Sequence, residues 1–277
     1  HIDKAISAEE KAQGKVLLCR TTAKSDLKIN VPGFNPNALP VRTLPVRIET
    51  IEIKHDVALL RLALPKAPSF AFYAGQYIDL LLPGNISRSY SIANSPDQEG
   101  FLELHIRKRE NGVCSEMIFG AEPKIKEKGI VRVKGPLGTF TLQEDSSKPI
   151  ILLATGTGYA PIRSILLDLI HQNSERPVHF YWGARQQEDL YALEEAEALI
   201  GRLKNAKFSP VLSKLDSDWK GENGYVQNVA AQNYPDLSQY EVYACGSQAM
   251  TESAQSLLTQ KCALPEDTFF CDAFSPA

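Results

Sequence analysis

Arg88-Ser89-Tyr90-Ser91 sets a guanidinium fork, a phenol and two hydroxyls within four consecutive residues. The surrounding stretch, Asn85 to Ala93, reads as a strand, so Arg88 and Tyr90 point to one face of it. That pairing suits a ligand with a phosphate at one end and a planar ring at the other. Arginine grips phosphate through two parallel contacts, and tyrosine offers a face for stacking. A solvated arginine–tyrosine pair over a sheet would use the same residues, so this stretch alone does not decide.

Three further stretches carry chemistry. Gly112-Val113-Cys114-Ser115 reads as a glycine turn entering a short helix near Ser115 to Gly120, with Ser115 at the N-cap. The free backbone N–H groups of such a turn bind phosphate; an ordinary capped helix entry is the alternative. With Arg88 the turn would make a second anion site. Thr155-Gly156-Thr157-Gly158 follows an apolar run, and Pro161 stands where a third glycine of a G-x-G-x-x-G loop would fall. Cys245-Gly246 closes another apolar run. A nucleophilic thiol needs an activating base, and no histidine neighbours Cys245 in sequence, which leaves a buried thiol as one reading.

The elements around these residues fall into two regimes. From residue 42 to 143 the chain shows short strands with turns between them, at Val46 to Ile53, Asp56 to Leu64, Gln76 to Leu82, Arg88 to Ala93, Phe101 to Lys108 and Ile130 to Lys134. Leu102, Leu104 and Ile106 alternate with Glu103, His105 and Arg107, the period of a strand with one buried face. This pattern predicts a small antiparallel β-barrel. Residues 143–149 are polar and end in proline, marking a boundary. From 148 to 277 strands alternate with helices: Ile150 to Ala154, a helix opened by Pro161, Val178 to Trp182, a helix over Glu188 to Leu203, Lys207 to Leu212, a helix near Val226 to Gln232, Glu241 to Ala244, a helix over Ala249 to Lys261, and Thr268 to Phe270. That alternation predicts an α/β doubly wound parallel sheet. With strand order 3-2-1-4-5, strands one and four border the ligand crevice, so Gly156-Thr157-Gly158 and Cys245-Gly246 would face one nucleotide.

Taken in order, the Arg88, Gly112, Gly135-Pro136-Leu137-Gly138, Gly156 and Cys245 motifs resemble the ferredoxin-NADP reductase superfamily, over residues 42 to 277. Within it they resemble the oxygenase-reductase branch that includes CDP-6-deoxy-glucoseen reductases. The resemblance implies an FAD-binding barrel domain at 42–143 and an NAD(P)-binding domain at 148–277. Arg88 would lie on the flavin pyrophosphate, with Ser89 beside it, Tyr90 against the isoalloxazine and Ser91 near the ring nitrogen that receives hydride. Gly112, Val113, Cys114 and Ser115 would take the pyrophosphate from the other side, and His105-Ile106-Arg107 would lie by the adenosine. Thr155, Gly156, Thr157, Gly158 and Pro161 would cradle the NAD(P)H pyrophosphate, and Gly183 and Arg185 would meet the ribose. Arg185 would neutralise a 2′-phosphate or be a solvated loop arginine. It has no basic neighbour in sequence, which favours NADH. Cys245 and Gly246 would flank the nicotinamide. Phe274 would shield the flavin, an anchor for the tail being its alternative. Ser91, Cys245 and Phe274 would thus form the reacting centre.

The implied activity is electron transfer from NAD(P)H through FAD to an iron–sulfur centre or protein, an oxygenase or dehydrase component serving as the electron-accepting partner. A free flavin reductase and a non-catalytic flavin-binding relay subunit are the competing readings. Residues 1–30 resemble the closing strands of a plant-type ferredoxin, whose last cysteine follows such a strand. Cys19 would then be an orphan iron–sulfur ligand, and a two-iron two-sulfur cluster would need the rest of a ferredoxin domain. A short natural extension is the alternative. Residues 31–41 carry three prolines and a glycine and read as an extended linker.

The bulk properties narrow the field further. The net charge of -3 supplies no electrostatic ground for binding nucleic acid or an anionic membrane. No apolar run approaches the ~20 residues that span a bilayer. The five cysteines show no paired spacing of a disulfide framework or zinc site. Reduced thiols and the absence of a signal pattern fit a cytoplasmic protein.

Overall fold

In the computed structural model, residues 22, 24–26, 39–214 and 218–274 are described. The chain divides into two compact units, His1–Pro36 and Asn37–Ala277, and both sheets belong to the second. Cys19 and the expected ferredoxin-like remnant lie outside the described residues.

The first sheet joins β1 (Arg42–Lys54), β2 (Val57–Ala63), β3 (Tyr77–Leu82), β4 (Ile86–Ser91), β5 (Phe101–Arg107) and β6 (Ile130–Leu137), with α1 (Val113–Phe119) between the last two strands. All pairings are antiparallel in the order β4-β3-β6-β1-β2-β5, and a bridge between Ile92 and Leu104 draws the two edges together. Alternation places the core. Leu60 and Leu62 of β2 lie opposite Leu104 and Leu102 of β5, all fully buried. Arg61 takes the other face, with its guanidinium 3.4 Å above the Phe101 ring. Each such buried leucine contributes about 1.5–3 kcal/mol, which is enough to fix the register that aims β4 and β5.

The second sheet is parallel throughout. It contains β7 (Ile150–Thr155), β8 (Val178–Ala184), β9 (Ala206–Leu212), β10 (Glu222–Asn223), β11 (Glu241–Ser247) and β12 (Phe269–Phe274), ordered β10-β9-β8-β7-β11-β12. Helices α2 (Tyr159–His171), α3 (Leu193–Ile200), α4 (Val226–Asn233) and α5 (Gln248–Lys261) connect the strands. Leaving aside the two-residue edge strand β10, the order is the expected 3-2-1-4-5, so the direction of winding reverses between β7 and β11. The central strands are apolar on both faces, with Ile150 to Ala154 almost wholly buried, as a sheet covered by helices on both sides requires.

Three boundaries differ from the sequence expectation. The helix expected from Glu188 shrinks to Leu193–Ile200, behind a short 3₁₀ turn at Gln187–Asp189. There Tyr191 turns inward so that its hydroxyl lies 2.8 Å from buried His105 Nδ1, a tertiary contact that overrides helical periodicity. Pro161 is the third residue of α2 rather than the first; the first turn has no intrahelical use for its N–H groups, so proline costs nothing there. Ser115 is not the N-cap. Gly112 is, and the Ser115 hydroxyl instead accepts the Arg109 N–H at 2.8 Å.

Val57, Ala74 and Phe140, all from before β7, are buried in one cluster with Ile150, Tyr159, Trp182 and Cys245. The two sheets therefore share a core. At the start of β8, His179 lies 2.9 Å from the Tyr234 and Ser209 hydroxyls, and burial, aided by the charge of Lys207, pushes its pKa down to about 4. The unfolded chain binds this proton more readily, so stability is lost as the pH falls from about 6.5 towards 4. Urea midpoints measured between pH 7 and pH 5 are expected to decline for the wild type and to decline less for His179→Gln; parallel slopes would contradict a buried neutral histidine.

Candidate functional site

The end of β4 carries the first motif. Arg88 and Tyr90 are half-buried, Ser89 is exposed and Ser91 is buried. Ser89 donates to Asp79 Oδ1 at 2.7 Å across the β3–β4 pair. The only hydrogen bond of the Arg88 side chain within the described residues is from Nη1 to the Ser87 carbonyl, so most of its fork is uncommitted. The Tyr90 hydroxyl meets the Cys114 thiol, with Arg88 and Arg109 close enough to act on it electrostatically. Burial nevertheless dominates and pushes the phenol far above its ordinary range. The first two motifs thus converge, and Arg109 joins them. Val113 is exposed at the same helix entry, while Ser115 is buried.

The second half of the site lies at the carboxyl ends of the parallel strands. A side-chain carbon at Gly158 would run into the Cys245 carbonyl oxygen, and one at Gly246 into the Thr155 hydroxyl. Gly246 also sits at φ +147°, a conformation that other residues rarely adopt. The Trp182 indole N–H donates to the Gly156 carbonyl at 3.0 Å, and the Ser247 N–H to Thr155 Oγ1 at 3.3 Å. Thr157 lies half-exposed on this loop. Backbone packed this closely and kept clear of side chains is what a pyrophosphate needs to approach N–H groups.

Of the β5 residues expected beside an adenosine, Ile106 is buried in the barrel core. His105 is fully buried between Tyr191 and Glu103; burial holds its pKa below the usual value, and the Glu103 contact opposes that shift. Arg107 crosses to the second sheet. Its Nη2 donates to the Asp189 carbonyl at 3.2 Å, its Nε lies 3.3 Å from Asp56, and its Nη1 lies over Gly156.

At the far end of the crevice, Gly183 packs against Val226 and Arg185 is exposed. The Lys214 N–H donates to the Arg185 carbonyl at 3.1 Å and the Ser213 N–H to the Ala184 carbonyl at 2.9 Å. The end of β9 therefore runs beside the end of β8, with the Lys214 backbone next to that of Arg185.

Two residues not singled out from sequence pair with the expected Ser91 and Cys245. Tyr77 pairs with Ser91 across β3 and β4, and burial raises its phenol, with Asp79 and then Asp272 adding to the shift. Asp272 in turn pairs with Cys245 across β11 and β12 and bears on its thiol. Burial raises Asp272 to about 6 and pushes Cys245, fully buried, well above an ordinary thiol. Cys245 is therefore not a thiolate nucleophile. Phe274 is half-buried, opposite Ser247, and packs on the cluster that contains Cys245. A lone carboxylate within Phe269-Phe270-Cys271-Asp272-Ala273-Phe274 was the available signal for Asp272.

The family model described as Oxidoreductase FAD-binding domain matches residues 46–142, and that described as Oxidoreductase NAD-binding domain matches residues 152–256. The chain is similar to CDP-6-deoxy-L-threo-D-glycero-4-hexulose-3-dehydrase reductase of Yersinia pestis, 41% identical over 98% of this chain and 81% of that protein. It is also similar to the reductase component of propane 2-monooxygenase from Gordonia, 34% identical over 99% of this chain and 81% of that protein. Among solved structures, the Amycolatopsis cytochrome P450 reductase GcoB aligns with a TM-score of 0.79 at 28% identity, over 98% of this chain and 81% of that one. Two oxidoreductase domains in this order, with reductases similar along nearly the whole length, establish that the chain belongs to the ferredoxin reductase superfamily and is an NAD(P)H-dependent flavoprotein reductase with FAD- and NAD-binding domains.

Proposed function

We propose that this reductase draws electrons from NAD(P)H and delivers them through FAD to the iron–sulfur centre of a partner, as the reductase component of an oxygenase or deoxysugar dehydrase system in the cytoplasm. When bound, FAD supplies the conversion of a two-electron donor into single electrons; the protein binds, orients and shields. One observation carries the reading: Ser91, at the end of β4, pairs with Tyr77, whose phenol feels the charge of Asp272, and Asp272 pairs with Cys245 of β11. Arg88, with Arg109 behind it, binds the flavin pyrophosphate together with the α1 entry at Gly112 to Ser115, and Tyr90 stacks on the ring. Thr155 to Gly158 and Gly246 take the nucleotide pyrophosphate. Ser91 and Cys245 line the contact between the two rings, and Phe274 covers it until the nicotinamide arrives. The domain assignment, 42–143 and 148–277, follows the two sheets. The four described cysteines are unpaired, which supports a reducing compartment.

The test is to saturate the protein with FAD, pass it through gel filtration and mix it anaerobically with NADH and with NADPH while following the flavin band. Retained flavin that bleaches within seconds is the expected result. Flavin lost on the column would favour free flavin reductase activity, and retained flavin that neither nucleotide reduces would favour a relay subunit.

Arg185 and Lys214, joined through their backbones, would together suit a 2′-phosphate. Reversing both charges, with Arg185→Glu and Lys214→Glu, is expected to slow reduction by NADPH at least about tenfold more than reduction by NADH, since about 1.4 kcal/mol of lost attraction gives that factor. Equal slowing with both nucleotides would exclude the assignment. Asp272 makes a separate prediction. The folded chain holds its proton more tightly than the unfolded one, so stability falls as the pH rises from about 4 through about 6. Asp272→Asn is expected to stabilise the protein at pH 8 by roughly 2–3 kcal/mol and to leave it unchanged at pH 4; an equal effect at both pH values would contradict the assignment.

A further inference from the structure

The residues just past the two cofactor motifs hold on to each other. Five and six residues past Gly158, in α2, come Arg163 and Ser164; two and three residues past Ser91 come Ala93 and Asn94. Arg163 Nη1 donates to the Ala93 carbonyl at 2.8 Å and lies 3.2 Å from the Glu103 carboxylate on β5. The Ser164 hydroxyl, fully buried, donates to the Asn94 carbonyl at 2.7 Å. Two adjacent side chains of one domain thus satisfy two adjacent carbonyls of the other.

The arginine is itself held. Its Nε and Nη2 lie 2.9 and 2.8 Å from Glu195 Oε1 on α3, which leaves Nη1 aimed across the interface. With 13% of its side chain exposed between two carboxylates, it stays charged, its pKa raised by Glu103 and Glu195 against the effect of burial. The receiving side is fixed as well. Asn94 takes the Glu103 N–H on its side-chain oxygen at 2.9 Å and donates to the Phe101 carbonyl at 3.1 Å, and Glu103 also meets His105, whose other nitrogen contacts Tyr191. The bonds of Arg163 and Ser164 go to none of the residues assigned above to the phosphates or the rings, so the pair does not act by touching either cofactor. A planar fork with three directed bonds is a positional device that lysine, a point charge, cannot reproduce.

We propose that Arg163 and Ser164 are positioning residues: they clasp the Ala93–Asn94 backbone and thereby set the separation of the flavin motif from the nucleotide loop. The inference rests on the reductase reading for its kinetic consequence, and on geometry alone for its structural one. Where reacting atoms must sit about 3–3.5 Å apart, a misplacement of about 1 Å costs about 10²-fold in rate.

The variants are Ser164→Ala and Arg163→Lys, each loaded with FAD, with two readouts. Hydrogen–deuterium exchange is expected to quicken at residues 92–96 and 157–166 while the rest of the barrel keeps its protection. Flavin reduction at saturating nucleotide is expected to slow about 10- to 100-fold with flavin content intact and nucleotide affinity within about twofold of wild type. Unchanged exchange together with an unchanged limiting rate would overturn the clasp, as would a slowing explained by weaker nucleotide binding. Should Arg163→Lys fail to fold, Ser164→Ala decides alone. If the wild type is not reduced by either nucleotide, the reductase reading fails, and the exchange pattern still decides the clasp.

Discussion

The site depends on how closely two backbones approach at the point where the parallel sheet changes direction. The chain leaving β7 and the chain leaving β11 are packed so tightly that a carbon at Gly158 would strike the Cys245 carbonyl, and one at Gly246 the Thr155 hydroxyl. No side chain other than hydrogen fits at either position. This steric constraint fixes the glycine loop against β11 at the edge where the winding of the sheet reverses. It also explains why the nucleotide half tolerates Pro161 in place of a third glycine, because the close contact is made by Gly158 and not by the residue three further on.

A second constraint is the shared core. Phe140, Ala74 and Val57 enter the cluster built around Tyr159 and Trp182, and Tyr159 stacks on Trp182 with ring centres 4.3 Å apart. Burial of this size between domains holds them together, but apolar contact is not directional. Direction comes from the polar groups: Arg163, Ser164 and Glu103 at one place, Arg107 and Asp189 at another. Buried charges are a weak source of stability and a better source of specificity, which matches their position between two motifs that must meet.

Much of this was legible from sequence, and for identifiable reasons. A period of two along β5 and a continuous apolar run in β7 report local burial, and both sheets followed from them. The expected strand order alone put Gly158 beside Cys245. The misses share a cause. Asp272 opposite Cys245, Tyr191 on His105 and Arg163 on Ala93 each join residues brought together only by the packing of separate strands and helices, and no local pattern encodes them. The helix expected at Glu188 failed for the same reason, since Tyr191 is drawn to the barrel rather than continuing a helical face.

The proposed contact between the two rings would fall along Ser91, Tyr77, Asp272 and Cys245. The most direct measurement is the long-wavelength absorbance of the FAD-loaded protein, reduced with dithionite and then titrated anaerobically with NAD⁺ and NADP⁺. Ring-on-ring contact there predicts a broad charge-transfer band that saturates with nucleotide and weakens when Phe274 is retained but Gly158 is replaced by alanine. A reduced flavin whose spectrum is unmoved by saturating concentrations of both nucleotides would contradict the account.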